Sequence, residues 1–268
     1  MSTVRPLRQD AARNRERLVL AARAMFRRQG LDVPLEEIAR EISDDVWVIA
    51  PESEQSGSSH SLSLAMPLRL RNISEHRFAV QGTPTDCVAM GLRYILRDRK
   101  VDLVLSGVNR GANISDDVTY SGTIAAAMEG TLLGVPSIAL SQAVAPKSKQ
   151  AKWSTARHHA PDLIRKLLKL GWPRDVLINV NFPDIPHESI KGVNVTRQGH
   201  QDISDLFIDE RVDSREIPYF WIGLRGAYGD PSADSDLIAI RNGYISVTPL
   251  HLDLTHGETY RAMQAALE

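Results

Sequence analysis

The chain has 268 residues, of which 43% are hydrophobic, and a net charge of −1 at neutral pH. That length and core content suit one large α/β domain or a main domain with a small appendage, and the balanced charge gives no general pull toward nucleic acid or anionic membrane. No apolar run approaches the ~20 residues of a membrane span. No apolar leader opens the sequence, and the single cysteine, Cys87, excludes an internal disulfide or a cysteine-based metal cluster; a cytoplasmic protein is expected.

Charge is unevenly placed. Residues 1–29 hold eight Arg against Asp10 and Glu16, a net of +6, which leaves about −7 for the remainder. Asp10 through Arg28 reads as a helix, because Leu18, Ala22, Met25 and Phe26 fall on one apolar stripe. Gln29-Gly30 supplies a stop. The organisation expected is therefore a basic helical extension over 1–30 and an α/β unit over 31–268. In that unit PLEEIAREI is a helix, and VWVIAP is a buried strand stopped at Pro51. A Ser/Gly-rich loop follows from Glu52 to Ser61. LRLRNI and RFAVQG alternate like a hairpin, and Gly82 to Asp86 opens the helix CVAMGLRYIL, which carries Cys87 among apolar neighbours.

VDLVLS is a second buried strand. It runs into a Gly/Asn/Asp-rich loop, Gly107 to Tyr120, then into the Ala-rich helix IAAAMEGTLL, then into the strand SIALS. Strand, loop, helix and strand form one βαβ unit, whose ligand is expected beyond the carboxyl ends of the strands. A long helix carries Leu163, Leu167 and Leu170 on its apolar face; the adjacent His158 and His159 on it are a poor metal pair. VLINVNFP and GVNVTRQG are strands, YFWIG is an aromatic strand, LIAIRNGYISVTPL reads as a hairpin turned at Asn242-Gly243, and the chain closes on a helix.

Three polar loops follow strand ends: Glu52–Ser61, Gly107–Asn113 and the helix start Ser121-Gly122-Thr123. Hydroxyls, amides and backbone N–H groups there suit a phosphate and a hard divalent cation. A P-loop and a Rossmann fingerprint are both absent.

The segments APESEQSGSSHSLSL, GTPTDCV, DLVLSGVNRGANISDDVTYSGTIAAAMEG, GVPSIALS, NVNFPDIP, VTRQG and GYISVTPLHLDLT resemble the SurE survival-protein family, in the family's order, from about Leu31 onward. The resemblance implies a Rossmann-like α/β sheet with helices on both faces and a C-terminal β-rich arm used in oligomerisation, as a homodimer or homotetramer. It implies a metal-dependent phosphatase acting on nucleoside monophosphates with Mg²⁺ or Mn²⁺. Ser56 and Asn109 match metal ligands; Asn113, Ser121, Gly122 and Thr123 match phosphate contacts; Asp86 matches a position near the site. Family members begin with a short apolar strand and an N-D-D-G loop whose two Asp residues are the main metal ligands. This chain has no such motif. Asp44-Asp45 matches a turn at the far end of the sheet, and Asp116-Asp117 matches a different segment.

Residues Asp10 to about Glu41 resemble instead the first helix and the helix leading into the turn of TetR-type repressors, without the recognition helix that makes the DNA contacts. Three functions follow: a SurE-type nucleotidase with impaired activity, a phosphate-binding pseudoenzyme, or a DNA-binding regulator. The first is expected. The central strand is expected to be missing, leaving a gap between VWVIAP and VDLVLS.

Overall fold

A computed structural model describes residues 17–22, 34–145, 148, 151–200, 206–224 and 232–268. The chain builds a nine-stranded sheet. Its strands are β1 (Arg17–Ala22), β2 (Asp45–Pro51), β3 (Leu70–Ser74), β4 (Arg77–Val80), β5 (Leu103–Arg110), β6 (Ser137–Gln142), β7 (Val176–Phe182), β8 (Val193–Val195) and β11 (Ile245–His251). β9 (Leu206–Val212) and β10 (Pro218–Leu224) pair antiparallel as a separate two-stranded arm. The sheet order is β3-β4-β2-β1-β5-β6-β7-β11-β8, with β4 through β7 all parallel.

The expected gap is filled. Residues expected to be helical are a strand at Arg17–Ala22, registered in parallel with β2 from Arg17↔Asp45 and with β5 up to Ala22↔Gly107. The physical reason lies in the slot itself. Two parallel strands each present a row of unpaired N–H and C=O groups beside a core, and a short apolar run that satisfies both rows outweighs a helical stripe of four residues. The rest of the predicted extension falls outside the described residues. Removing residues 1–22 is expected to abolish the cooperative melting transition seen by circular dichroism, because the vacancy opens in the middle of the sheet; a sharp transition in the truncated chain would show that β1 is dispensable.

Side chains alternate across the parallel strands as their pleat requires. Val46, Val48 and Ala50 of β2, with Leu103 and Leu105 of β5, face a core closed by α1 (Pro34–Arg40) and α4 (Trp153–Leu170). Trp47, Ile49 and Val104 face the opposite core, under α2 (Pro84–Met90) and α3 (Gly122–Leu132). Helices thus cover both faces, as expected. Leu163 is buried in α4, whereas Leu170 at its end is exposed.

Two further expectations are corrected. LIAIR is a helix, α5 (Asp236–Arg241), not the first arm of a hairpin. Gly243 has φ +82 but Asn242 has φ −84. A type I′ turn needs both positive, whereas a helix stop needs only the glycine. GVNVTRQG keeps ladder geometry only over Val193–Val195. The terminal helix, α6 (Gly257–Leu267), is present as expected. Among the described residues no helix is long and apolar enough to cross a membrane.

Candidate functional site

β1 leads outward to β2 on one side, and the chain returns past it to β5 on the other. The strand order therefore reverses between β1 and β5, and a ligand crevice belongs at the carboxyl ends there. Asp45 begins β2 at the opposite edge, so the Asp44-Asp45 pair lies away from that crevice.

α3 opens directly behind β5. Ser121 caps it, its Oγ accepting the Ile124 N–H at 3.1 Å. The first-turn N–H groups of a helix have no acceptor within the helix, and they point the positive end of its dipole toward the crevice. Gly122 is the residue that lets the Glu52–Ser61 loop and the start of α2 close on this turn. A Cβ there would sit 2.9 Å from Ser58 Oγ and 3.1 Å from Pro84 Cγ. Two hydroxyls at this junction are buried with no hydrogen-bond partner: Ser58 Oγ and Thr123 Oγ1, the latter on a residue only 2% exposed. A buried hydroxyl without a partner costs about 1–3 kcal/mol, which an oxyanion accepting from it would recover.

The Glu52–Ser61 loop is held against α3 by side chains that sequence reading did not single out. Ser59 Oγ donates to the Thr119 carbonyl at 2.7 Å, and His60 Nε2 lies 3.1 Å from Glu129 Oε2 of α3. Asp86 anchors the next stretch: it accepts from Ser63 N–H at 3.0 Å, Ser63 Oγ at 2.7 Å and Thr83 N–H at 2.8 Å. With the Thr83 hydroxyl it forms the capping box of α2. Its observed part is to cap and to anchor.

The expected metal ligands are neutral and engaged. Ser56, exposed in the loop, donates to Glu54 Oε1 at 2.8 Å; Asn109, buried at the end of β5, donates from Nδ2 to the Gly111 carbonyl at 2.8 Å. Asn113 is buried too. Its side-chain amide donates to Ser141 Oγ at 2.6 Å, its N–H donates to Asn181 Oδ1 at 2.8 Å, and its carbonyl accepts from Asn179 and Asn181. These bonds fasten the crevice loop to β6 and β7. Cys87 is fully buried; burial first, and the Asp86 charge second, push its thiol well above the ordinary range, so it serves packing rather than attack.

Asp236 is the residue sequence reading missed most completely. It is fully buried at the start of α5, yet it reaches the crevice loop: Oδ2 accepts the Ser115 N–H at 2.9 Å, and Oδ1 accepts the Gly199 N–H at 3.0 Å and the Leu237 N–H at 2.8 Å. Gln198 adds a bond to the Ser115 carbonyl at 2.9 Å. No motif marks this carboxylate, because its partners lie 121 and 37 residues away.

The sequence profile described as "Survival protein SurE" matches residues 26–205. Similar curated proteins include "5'-nucleotidase SurE" of Parvibaculum lavamentivorans, 58% identical over 239 residues covering 89% of this chain and 86% of that protein. The protein of the same description in Methylobacterium radiotolerans is 59% identical over 226 residues, covering 84% and 89%. Among solved structures, the SurE protein from Aquifex aeolicus superposes with a TM-score of 0.77 at 36% identity, covering 94% of this chain and 99% of that one.

Proposed function

The chain belongs to the survival-protein SurE family, and from that premise we propose that it is a 5′-nucleotidase, a phosphoric monoester hydrolase whose substrates are nucleoside 5′-monophosphates. The observation that supports this reading best is the start of α3, where the free first-turn N–H groups stand beside the buried, partnerless hydroxyls of Ser58 and Thr123. Fixed donors of this kind bind the phosphoryl oxygens and stabilise the charge that develops on them. Asn113 and Asp236 do not touch the substrate in this account; they hold the loop between β5 and α3 in place.

Family members are metal-dependent, and Mg²⁺ or Mn²⁺ was the expectation. The donors in place do not suit such an ion. Ser56 and Asn109 carry no charge, and among the described residues no three of His, Cys, Asp or Glu come together as a metal-holding group. No step is therefore assigned to a cation.

The unit that carries this activity is residues 31–268, completed by the strand at Arg17–Ala22, and it works in the cytoplasm. The β9–β10 arm leaves Ile208, Phe220, Trp221 and Ile222 exposed; such a patch suits self-association into a dimer or tetramer. A DNA-reading role has no support from residues 17–22, which form a strand rather than a helix.

Phosphate release from a nucleoside 5′-monophosphate tests the reading. Release above the protein-free rate is expected, and Gly122→Val is expected to lower kcat/KM by about 100-fold, since its side chain would push Ser58 and Pro84 away from the helix start. Equal release by this variant would move the reaction elsewhere.

A further inference from the structure

We infer that this chain holds the phosphate of its substrate on protein donors alone, without the divalent cation on which its family depends. The inference rests on the phosphate-ester reading of the crevice and concerns what neutralises the phosphate there.

The first support is topological. The described part of β1 ends at Ala22, opposite Gly107, at the crevice edge. A cation site of the family type needs its carboxylates immediately after this strand. After Ala22 the sequence reads Arg23-Ala24-Met25-Phe26-Arg27-Arg28, and no Asp or Glu occurs between Ala22 and Asp32. The family profile begins to match at residue 26, within that run.

The second support is what remains around the crevice. Affinity for a hard cation is set largely by the charge of its ligands. Among the described residues Glu52 pairs with Arg71 at 2.9 Å, Glu54 accepts from Ser56 at 2.8 Å and Asp116 lies 3.4 Å from His200, all at the surface, and no three His, Cys, Asp or Glu converge as a metal-holding group. Two neutral oxygens do not offset the dehydration of Mg²⁺ or Mn²⁺. The donors for an anion, by contrast, are present: the start of the eleven-residue α3 with no acidic residue in its first turn, and the two orphaned hydroxyls. Nothing there requires a metal to bind an anion.

The test is calorimetry on the full chain stripped with EDTA. Mn²⁺ alone is expected to give no saturable heat up to about 1 mM. Inorganic phosphate is expected to bind with the same affinity, within about twofold, in EDTA and in excess Mn²⁺. Thr123→Val is expected to weaken phosphate by about tenfold in both buffers, the loss of one hydrogen bond to a charged group; Ser58→Ala reads the same loss where that variant fails to fold. Micromolar Mn²⁺ binding, or phosphate affinity raised tenfold or more by Mn²⁺, would overturn the inference. Phosphate affinity unchanged in both variants would overturn it as well, by placing the anion elsewhere. No phosphate binding in either buffer would overturn it together with the reading of the site. Binding in both buffers without nucleotide turnover would uphold it and defeat only the catalytic reading.

Discussion

Gly107→Ala is expected to yield a chain that does not fold cooperatively. Gly107 sits in β5 at φ +129, a conformation L side chains rarely adopt, and an added Cβ would lie 2.2 Å from the Leu140 carbonyl oxygen. That oxygen is backbone in β6, the central neighbour of both β5 and β7. Moving it aside means pulling apart ladders on either side. Backbone strain and overlap in a packed sheet together exceed about 4 kcal/mol, a large part of the whole stability of a domain. Gly57→Ala is the control: its φ is +73, but nothing lies within 4 Å of the new Cβ. It should cost only about 1–2 kcal/mol. A Gly107→Ala chain melting within a few degrees of the parent would show that β5 and β6 do not approach as closely as described.

Asp236→Ala is the second large effect. It orphans three buried N–H groups, those of Ser115, Gly199 and Leu237, and each buried donor left unpaired costs about 1–3 kcal/mol before the site relaxes. A net loss of about 3–5 kcal/mol should lower Tm by roughly 10 °C. It should also release the Ser115 end of the crevice loop and weaken phosphate. Asp236→Asn should fall between: its carbonyl can still serve Gly199 and Leu237, but its NH₂ would face the Ser115 N–H, donor against donor. The carboxylate also shapes the pH dependence. Burial raises its pKa, against the opposing hydrogen bonds from Ser115, Gly199 and Leu237. A raised pKa in the folded state means that folding takes up a proton. The stability this contributes is complete below the ordinary carboxylate range and is lost as pH rises through the raised value. The parent should lose stability across that window, and Asp236→Ala should lose less. Melting curves at closely spaced pH values would show it; equal slopes would place the carboxylate in solvent.

The strands that read clearly from sequence were those whose apolar run admits only one reading. VWVIAP, VDLVLS, SIALS and VLINVNF are predominantly apolar because both faces are covered, and all four are strands of the parallel part of the sheet. β1 was misread because LVLAA fits a helical stripe as well as a strand; only the vacancy between β2 and β5 separates the two, and that vacancy is tertiary. LIAIRNG was misread because Asn-Gly serves a hairpin and a helix stop alike. β9, Leu206–Val212, carries Asp209, Glu210 and Arg211 in an exposed arm, so it lacks the apolar signature. The crevice followed the same division. Its loops and the Ser121–Thr123 helix start could be placed from the βαβ pattern. The bonds that fasten Asn113 to β6 and β7, and the reach of Asp236 across 121 residues, could not, because they join elements distant in sequence.

The central claim is that the phosphate cradle persists in a chain without the carboxylates for a cation. Phosphate release from a nucleoside 5′-monophosphate, measured side by side in excess Mn²⁺ and in excess EDTA, tests it most directly. Slow release at rates equal within about twofold is expected, since no ion enters the barrier. Release 100-fold faster in Mn²⁺ would contradict it and would mean that carboxylates elsewhere in the chain rebuild the metal site.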